Sequence, residues 1–191
     1  MKRSLLALTL AAALPFAAAH AAEGVSYNYV EGGYSATNSD ADADGFGANA
    51  SFAFHPNFHA FGGYSAQEFD SQPLTGEVDV DQWRLGIGYN HEISPRADLV
   101  TRVAYEKFEA SNNFVDVDVD GYSAEVGVRG ALTTNLEGYA MAGYEDYGSD
   151  ADDFYGRLGA QVKFTPNWGV SGDVKFADGD TQWFVGPRFT W

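Results

Sequence analysis

Apolar and polar residues alternate through most of this chain, in blocks of about ten positions divided by clusters of Gly, Pro, Asn and Asp. Successive side chains of a β-strand point to opposite faces, so each block predicts one strand with an apolar and a polar face. The C-terminal block shows the pattern most clearly: Trp183, Val185, Pro187, Phe189 and Trp191 share one parity. Four earlier blocks carry the sets Phe46-Ala48-Ala50-Phe52-Phe54, Phe58-Ala60-Gly62-Tyr64, Trp83-Leu85-Ile87-Tyr89 and Leu99-Thr101-Val103-Tyr105, each counted at alternate positions. Four more carry Tyr122-Ala124-Val126-Val128, Leu136-Ala140-Ala142-Tyr144, Phe154-Leu158-Ala160-Val162-Phe164 and Trp168-Val170-Val174-Phe176.

The basic residues test this assignment. Arg84, Arg102, Arg129, Arg157, Lys163, Lys175 and Arg188 all fall on the face opposite to the apolar set, although that set is chosen by apolarity alone. If the apolar face meets hydrocarbon, each basic residue on it costs about 2–4 kcal/mol at the bilayer midplane. Seven such errors would exceed the roughly 5–15 kcal/mol that holds a typical domain together. The pattern therefore predicts an all-β fold, a closed up-and-down antiparallel transmembrane β-barrel of ten strands, with eight as the alternative count. The first block, Val25 to Ala36, is ambiguous. Tyr27 and Tyr29 share the parity of Glu31, whose burial in lipid is disfavoured, so Val30 and Tyr34 are placed outward.

Connections alternate in kind. Short ones are expected at His55-Pro56-Asn57, His91 to Ala97, Leu132 to Asn135 and Thr165-Pro166-Asn167, and longer ones at Thr37 to Asp44, Gln67 to Val80, Glu109 to Asp120, Asp146 to Asp153 and Ala177 to Asp180. Short periplasmic turns and longer extracellular loops are the habit of outer-membrane barrels, and this alternation puts both termini on the periplasmic side. Aromatics gather near both sets of connections, as two interfacial girdles would. A soluble sandwich or lipocalin-like barrel would produce the same parity with its aromatics inside. The exported start, the terminal Trp191 and the double banding decide for the membrane.

That start is Lys2 and Arg3 followed by an apolar stretch from Leu5 to Ala19, with Ala19-His20-Ala21 as a small-residue cleavage pattern. Residues 1–21 thus read as a cleaved signal peptide and residues 22–191 as one barrel domain. Loss of Lys2 and Arg3 leaves nine basic residues against 27 acidic, a net charge of −18. Such a chain repels nucleic acid, which is excluded as a partner. Cysteine is absent, so no disulfide scaffold and no thiolate chemistry is available.

By parity the lumen holds Glu31, Arg84, Arg102, Glu106, Glu125, Arg129, Glu137, Glu145, Arg157, Lys163, Asp173, Lys175 and Arg188. Confined charges need partners, so an ionic network is expected in which Arg84, Arg102 and Arg129 pair with Glu106 and Glu125. Its plainest role is to fill the barrel. The alternative is a narrow polar conduit for small ions or solutes, since open aqueous pores take about 16–18 strands.

Two acidic stretches, Asp40-x-Asp42-x-Asp44-Gly45 and Asp116-x-Asp118-x-Asp120-Gly121, match the first half of an EF-hand loop. The twelfth position is Ser51 in one and Gly127 in the other, not a bidentate Glu. They read as outward strand extensions forming a solvated rim, as do Glu77, Asp79 and Asp81. The sharper alternative is weak Ca²⁺ or Mg²⁺ binding between these carboxylates and lipopolysaccharide phosphates; no other cofactor is expected. Catalysis is not expected either. His55, His59 and His91 map to the short turns, away from the acidic loops, and the repeated Gly-Tyr-Ser-Ala at Gly33, Gly63 and Gly121 lacks the last Gly of a nucleophile elbow.

The stretch Ala22-Glu23-Gly24-Val25-Ser26-Tyr27-Asn28-Tyr29-Val30-Glu31-Gly32-Gly33-Tyr34, the Asp-Ala-Asp-Ala-Asp-Gly loop, the Leu-rich start and the closing Phe-Val-Gly-Pro-Arg strand resemble a particular group. This is the small outer-membrane β-barrel family of xanthomonads once proposed as a secreted quorum-sensing and plant-immunity elicitor. More broadly, the chain is similar to the small OmpX- and OmpA-like barrels. The resemblance implies an outer-membrane protein tied to virulence, motility or biofilm formation. The expected role is structural or surface-interacting, in envelope integrity or adhesion. The expected partners are outer-membrane lipid, lipopolysaccharide and, through the C-terminal strand, the barrel assembly machinery, with the protein acting as a monomer.

Overall fold

The computed structural model describes residues 21–39, 42–72, 76–111, 116–148 and 152–191. Residues 1–20 of the expected leader, Asp40, and the side chains of Glu77 and Asp116 lie outside that description. Ten strands follow in chain order: β1 Tyr29–Asn38, β2 Ala43–His55, β3 Phe58–Gln72, β4 Gly76–Ser94, β5 Ala97–Ser111, β6 Asp116–Ala131, β7 Leu136–Asp146, β8 Asp152–Lys163, β9 Trp168–Ala177 and β10 Asp180–Thr190. Each pairs antiparallel with its sequence neighbours, and β1 closes the sheet on β10 with Val30 opposite Phe189 and Glu31 opposite Arg188. Over the band where all ten strands pair, closure leaves no open edge, which a sheet in hydrocarbon requires.

The two faces differ as the alternation demands. Leu85, Ile87, Val103, Val126, Leu158 and Val162 are exposed on the outer wall, while Arg102, Glu106, Glu125, Arg129, Lys175 and Arg188 are buried inside it. In β1, Val30 and Tyr34 face out and Tyr29 is buried. Outer aromatics pack across strands: Tyr34 against Trp183, Phe58 against Tyr89, Tyr105 against Tyr122 and Trp168 against Phe189.

Turns joining β2–β3, β4–β5, β6–β7 and β8–β9 mark what we call the turn end; the opposite end is the loop end. Three turns finish in an Asn that clasps the next strand over. Asn57 accepts from the Asn90 amide at 2.9 Å and donates its side-chain amide to the Asn90 carbonyl at 3.0 Å. Asn135 does the same with Lys163, and Asn167 with Thr190. The Pro-Asn repeat is thus a clasp between turns and neighbouring strands as well as a turn signal.

At the loop end the expected strand extensions are present, and the expected loops are shorter than the sequence suggests. Pairing between β3 and β4 continues to Gln72↔Gly76, and between β5 and β6 to Ser111↔Asp116, so most of the expected loops Gln67 to Val80 and Glu109 to Asp120 is strand. A backbone ladder needs no apolar side chains, and carboxylates on its outer face can stay in water. β4 runs 19 residues, about twice the ~9–11 that a tilted membrane strand needs. The expected loop Ala177 to Asp180 is a two-residue hairpin turn. Asp178 and Gly179 both have positive φ, 41° and 88°, with Ala177 paired to Asp180. That is type I′ geometry, whose twist suits a hairpin and whose second position favours Gly.

Candidate functional site

The lumen concentrates charged chemistry, and inward parity brings its residues together. At mid-height Arg84 reaches Glu106 at 3.1 Å and Glu125 at 3.5 Å, and Arg102 reaches Glu125 at 3.2 Å. The two guanidiniums also lie 5.4 and 5.2 Å from the Phe61 ring, on the same inner wall. Arg157 comes within 3.9 Å of Glu125, to which Tyr155 donates at 3.0 Å. Arg129 has a different partner from the expected one. It pairs with Glu137 at 2.5 Å, because parity fixes only the face of a residue and Glu137 sits on the adjacent strand at nearly the same height. Lys163 reaches the same Glu137 at 3.3 Å.

Around β1, Arg188 pairs with Glu31 at 2.6 Å and lies over the Tyr29 ring. Glu31 also accepts from Asn49 and Ser171. Asp173 accepts from the Tyr139 hydroxyl. Toward the loop end Lys175 pairs with Glu145 at 2.5 Å, and Tyr147 donates to Glu106 and Glu145 at 3.0 and 3.3 Å. Burial is the main cause holding the Tyr147 phenol far above its ordinary value, so it stays a donor there. A cavity of about 130 Å³ remains among Glu31, Arg84, Arg157, Asp173, Lys175 and Arg188. That is room for about four waters.

The turn end holds what the alternation did not reveal. Residues 21–28 are not the start of β1; they fold into the barrel mouth. Ala22, Val25 and Tyr27 form an apolar cluster with Val100 and Met141. Tyr27 stacks on the fully buried ring of His59, centroids 4.4 Å apart, and the Arg129 guanidinium lies 4.7 Å from the other ring partner's centroid, that of Tyr27. The His59 ring rests where a Cβ on Gly88 would stand, which is why that strand position is bare. Polar contacts fix the segment: Glu23 donates to the Pro95 carbonyl, Arg129 to the Ser26 carbonyl, Lys163 to the Gly24 carbonyl, and both the Ala22 nitrogen and the Tyr27 hydroxyl donate to Asp98, at 3.1 and 2.9 Å. Asp98 was missed at the sequence level, although it shares the inward parity of Arg102 and Glu106 and could have been read from it.

At the loop end the acidic residues form rows on the outer face of the tall β2–β6 wall. Asp44, Glu68 and Asp79 stand opposite one another, continued by Ser111; Asp81, Glu109 and Asp118 form the next row, and Lys107 faces Asp120 below them. Lys107, also unremarked in the sequence, pairs with Glu109 and reaches Asp118 at 4.0 Å. Tyr64 donates to Asp81 at 2.5 Å, joining girdle to rim, and Asn38 donates to Asp42 at 3.1 Å. Among the described residues no group of three or more His, Asp or Glu side chains is placed to hold a metal ion.

Comparison with known proteins agrees with this architecture. No curated protein is similar enough to match. Among solved structures the chain is similar to the KdgM porin in complex with disordered oligogalacturonate, at 11% identity and a TM-score of 0.51, over 85% of this chain and 99% of that one. It is also similar to the outer membrane protein OprG from Pseudomonas aeruginosa, at 9% identity and a TM-score of 0.46, over 85% and 94% of the two chains. Neisserial surface protein A aligns at 15% identity and a TM-score of 0.45, over 87% and 98%. At such identities the likeness concerns the fold alone. The family described as outer membrane protein beta-barrel domain matches residues 4–186. With that match over nearly its whole length, and charges turned toward the axis of a closed antiparallel barrel, the chain belongs to the outer membrane protein beta-barrel domain family.

Proposed function

We propose that this protein is a structural, surface-interacting barrel of the bacterial outer membrane that does not conduct. The observation that carries the reading is the filled lumen. Ion pairs between neighbouring and next-but-one strands line it from one end to the other, and residues 21–28 pack into its turn end. In this reading the turn end and both termini face the periplasm, and the tall acidic wall of β3–β6 stands outside the cell. Envelope integrity, adhesion and biofilm or virulence-related contact are roles such a wall can serve. The protein acts as a monomer, and its C-terminal aromatic strand is the segment presented to the assembly machinery. The reading is non-enzymatic, since His55, His59 and His91 belong to the turn end while the acidic rows belong to the loop end.

The second reading, a narrow channel for small ions or solutes, is favoured by the ~130 Å³ cavity with its Arg84, Arg157, Lys175 and Arg188 lining. Planar-bilayer recording separates the two: silence at ±100 mV supports the structural barrel, and discrete stable steps support the channel. For the outer rim we propose a solvated acidic belt in which Ca²⁺ or Mg²⁺ is shared weakly between carboxylates such as Asp42, Asp44, Asp118 and Asp120 and lipopolysaccharide phosphates. Calcium titration by calorimetry in detergent, with and without added lipopolysaccharide, tests this. Heat no greater than buffer dilution in both arms removes the cation from the reading.

A further inference from the structure

Asp98 is a carboxylate with 0% exposure and, among the described residues, no ion-pair partner within 4 Å. The cation nearest to hand in the register, Arg129, is committed to Glu137 at 2.5 Å and to the Ser26 carbonyl at 2.8 Å. A buried, uncompensated carboxylate is strongly destabilising. What Asp98 does face is the chain's own start: its Oδ2 accepts from the Tyr27 hydroxyl at 2.9 Å, and its Oδ1 accepts from the backbone nitrogen of Ala22 at 3.1 Å. Ala22 is itself 2% exposed and packs with Val25 and Tyr27. Burial keeps the Tyr27 phenol well above its ordinary value, so it supplies a proton donor and no charge.

Ala22 is also the residue that the Ala19-His20-Ala21 pattern makes the first of the mature chain. Hydrolysis of the Ala21–Ala22 peptide bond adds water across it, giving a carboxylate on the departing leader and an α-ammonium on Ala22. We propose that Asp98 is a binding site for that ammonium, so that removal of the leader creates the missing counter-ion and locks residues 22–28 into the barrel mouth. One amide N–H then becomes three donors and a full positive charge at the same atom, and the half-buried Ala21 leaves with the leader. The inference holds whether or not the lumen conducts.

The test uses protein isolated from outer membranes and kept folded in detergent. Intact mass and N-terminal sequencing identify the first residue, and acetylation with an N-hydroxysuccinimide ester at neutral pH, read on the N-terminal peptide, gives the reactivity of the α-amine. The expected result is a chain beginning at Ala22 whose amine reacts at least tenfold more slowly than in Asp98→Asn. A different first residue, or a smaller ratio, overturns the proposal. Should Asp98→Asn fail to fold, a Gly-Ser extension before Ala22 moves the ammonium away and leaves Asp98 intact. A melting temperature lowered by several degrees supports the pairing, and an unchanged one overturns it.

Discussion

Arg129 and Glu137 meet at 2.5 Å on adjacent strands, both with side chains at 3% exposure or less, and together they carry the junction between the barrel wall and the segment in its mouth. Breaking a buried pair from one side strands the other charge, at a cost of about 3–5 kcal/mol. Arg129→Ala is therefore expected to lower the folding free energy in vesicles, read by urea titration, by that amount. Replacing both partners, as Arg129→Met with Glu137→Leu, should recover most of the loss. A double variant no more stable than the single one would show that Arg129 acts mainly through Ser26 and Tyr27.

Leu85 stands on the outer wall at 69% exposure, level with Tyr105 and Gly62 on the neighbouring strands. If this band meets hydrocarbon, Leu85→Arg should cost about 2–4 kcal/mol in reversible folding into phosphatidylcholine vesicles. A cost under about 1 kcal/mol would put Leu85 at an interface instead.

The faces of the strands were legible because lipid and lumen impose opposite chemistry at alternate positions, and Arg84, Arg102 and Val103 each obey it. Heights were not. Nothing in the parity of Arg129 distinguishes Glu137 from Glu125, since both lie on the inner face. Residues 25–29 alternate as a strand does, so Val25 and Tyr27 could be read as part of β1; only the fold reveals that their apolar side points at Val100 and Met141. In the rising β3–β6 wall the sequence supports two readings at once, loops over Gln67 to Val80 and Glu109 to Asp120 and strand extensions through Asp79, Asp81, Asp118 and Asp120, and the structure has the second. The wall's alternation of Asp and Val predicts a strand in water as readily as a polar loop, and the difference lies in cross-strand hydrogen bonds.

Tyr27 contributes a ring to His59 and Arg129 and a hydroxyl to Asp98. Tyr27→Ala removes both and is expected to cost about 3–5 kcal/mol, like other large-to-small changes in a packed site. Tyr27→Phe removes only the donor to a buried carboxylate, about 1–3 kcal/mol. Denaturation midpoints rank the two variants. Bilayer recordings should also show brief openings for Tyr27→Ala alone, because the mouth loses its stopper only there.

Gly179 sits at φ 88° in a two-residue turn. A Cβ meets no neighbour there, so the cost of Gly179→Ala is purely conformational, about 1–2 kcal/mol. Asp178→Gly should be close to neutral by the same measurement. Equal losses from both would mean that the Asp178 side chain has a partner of its own.

The seam between β1 and β10 has a consequence for biogenesis. Tyr29 meets Thr190, and the Trp191 amide donates to the Asn28 carbonyl at 3.2 Å. The first strand made must therefore wait for the last, across more than a hundred and fifty intervening residues. Until β10 has reached β1, both rims of the growing sheet carry bare amides and carbonyls. Such rims invite pairing with whatever strand is nearest, and closures over so long a separation are slow. Nothing short of the last strand satisfies those rims.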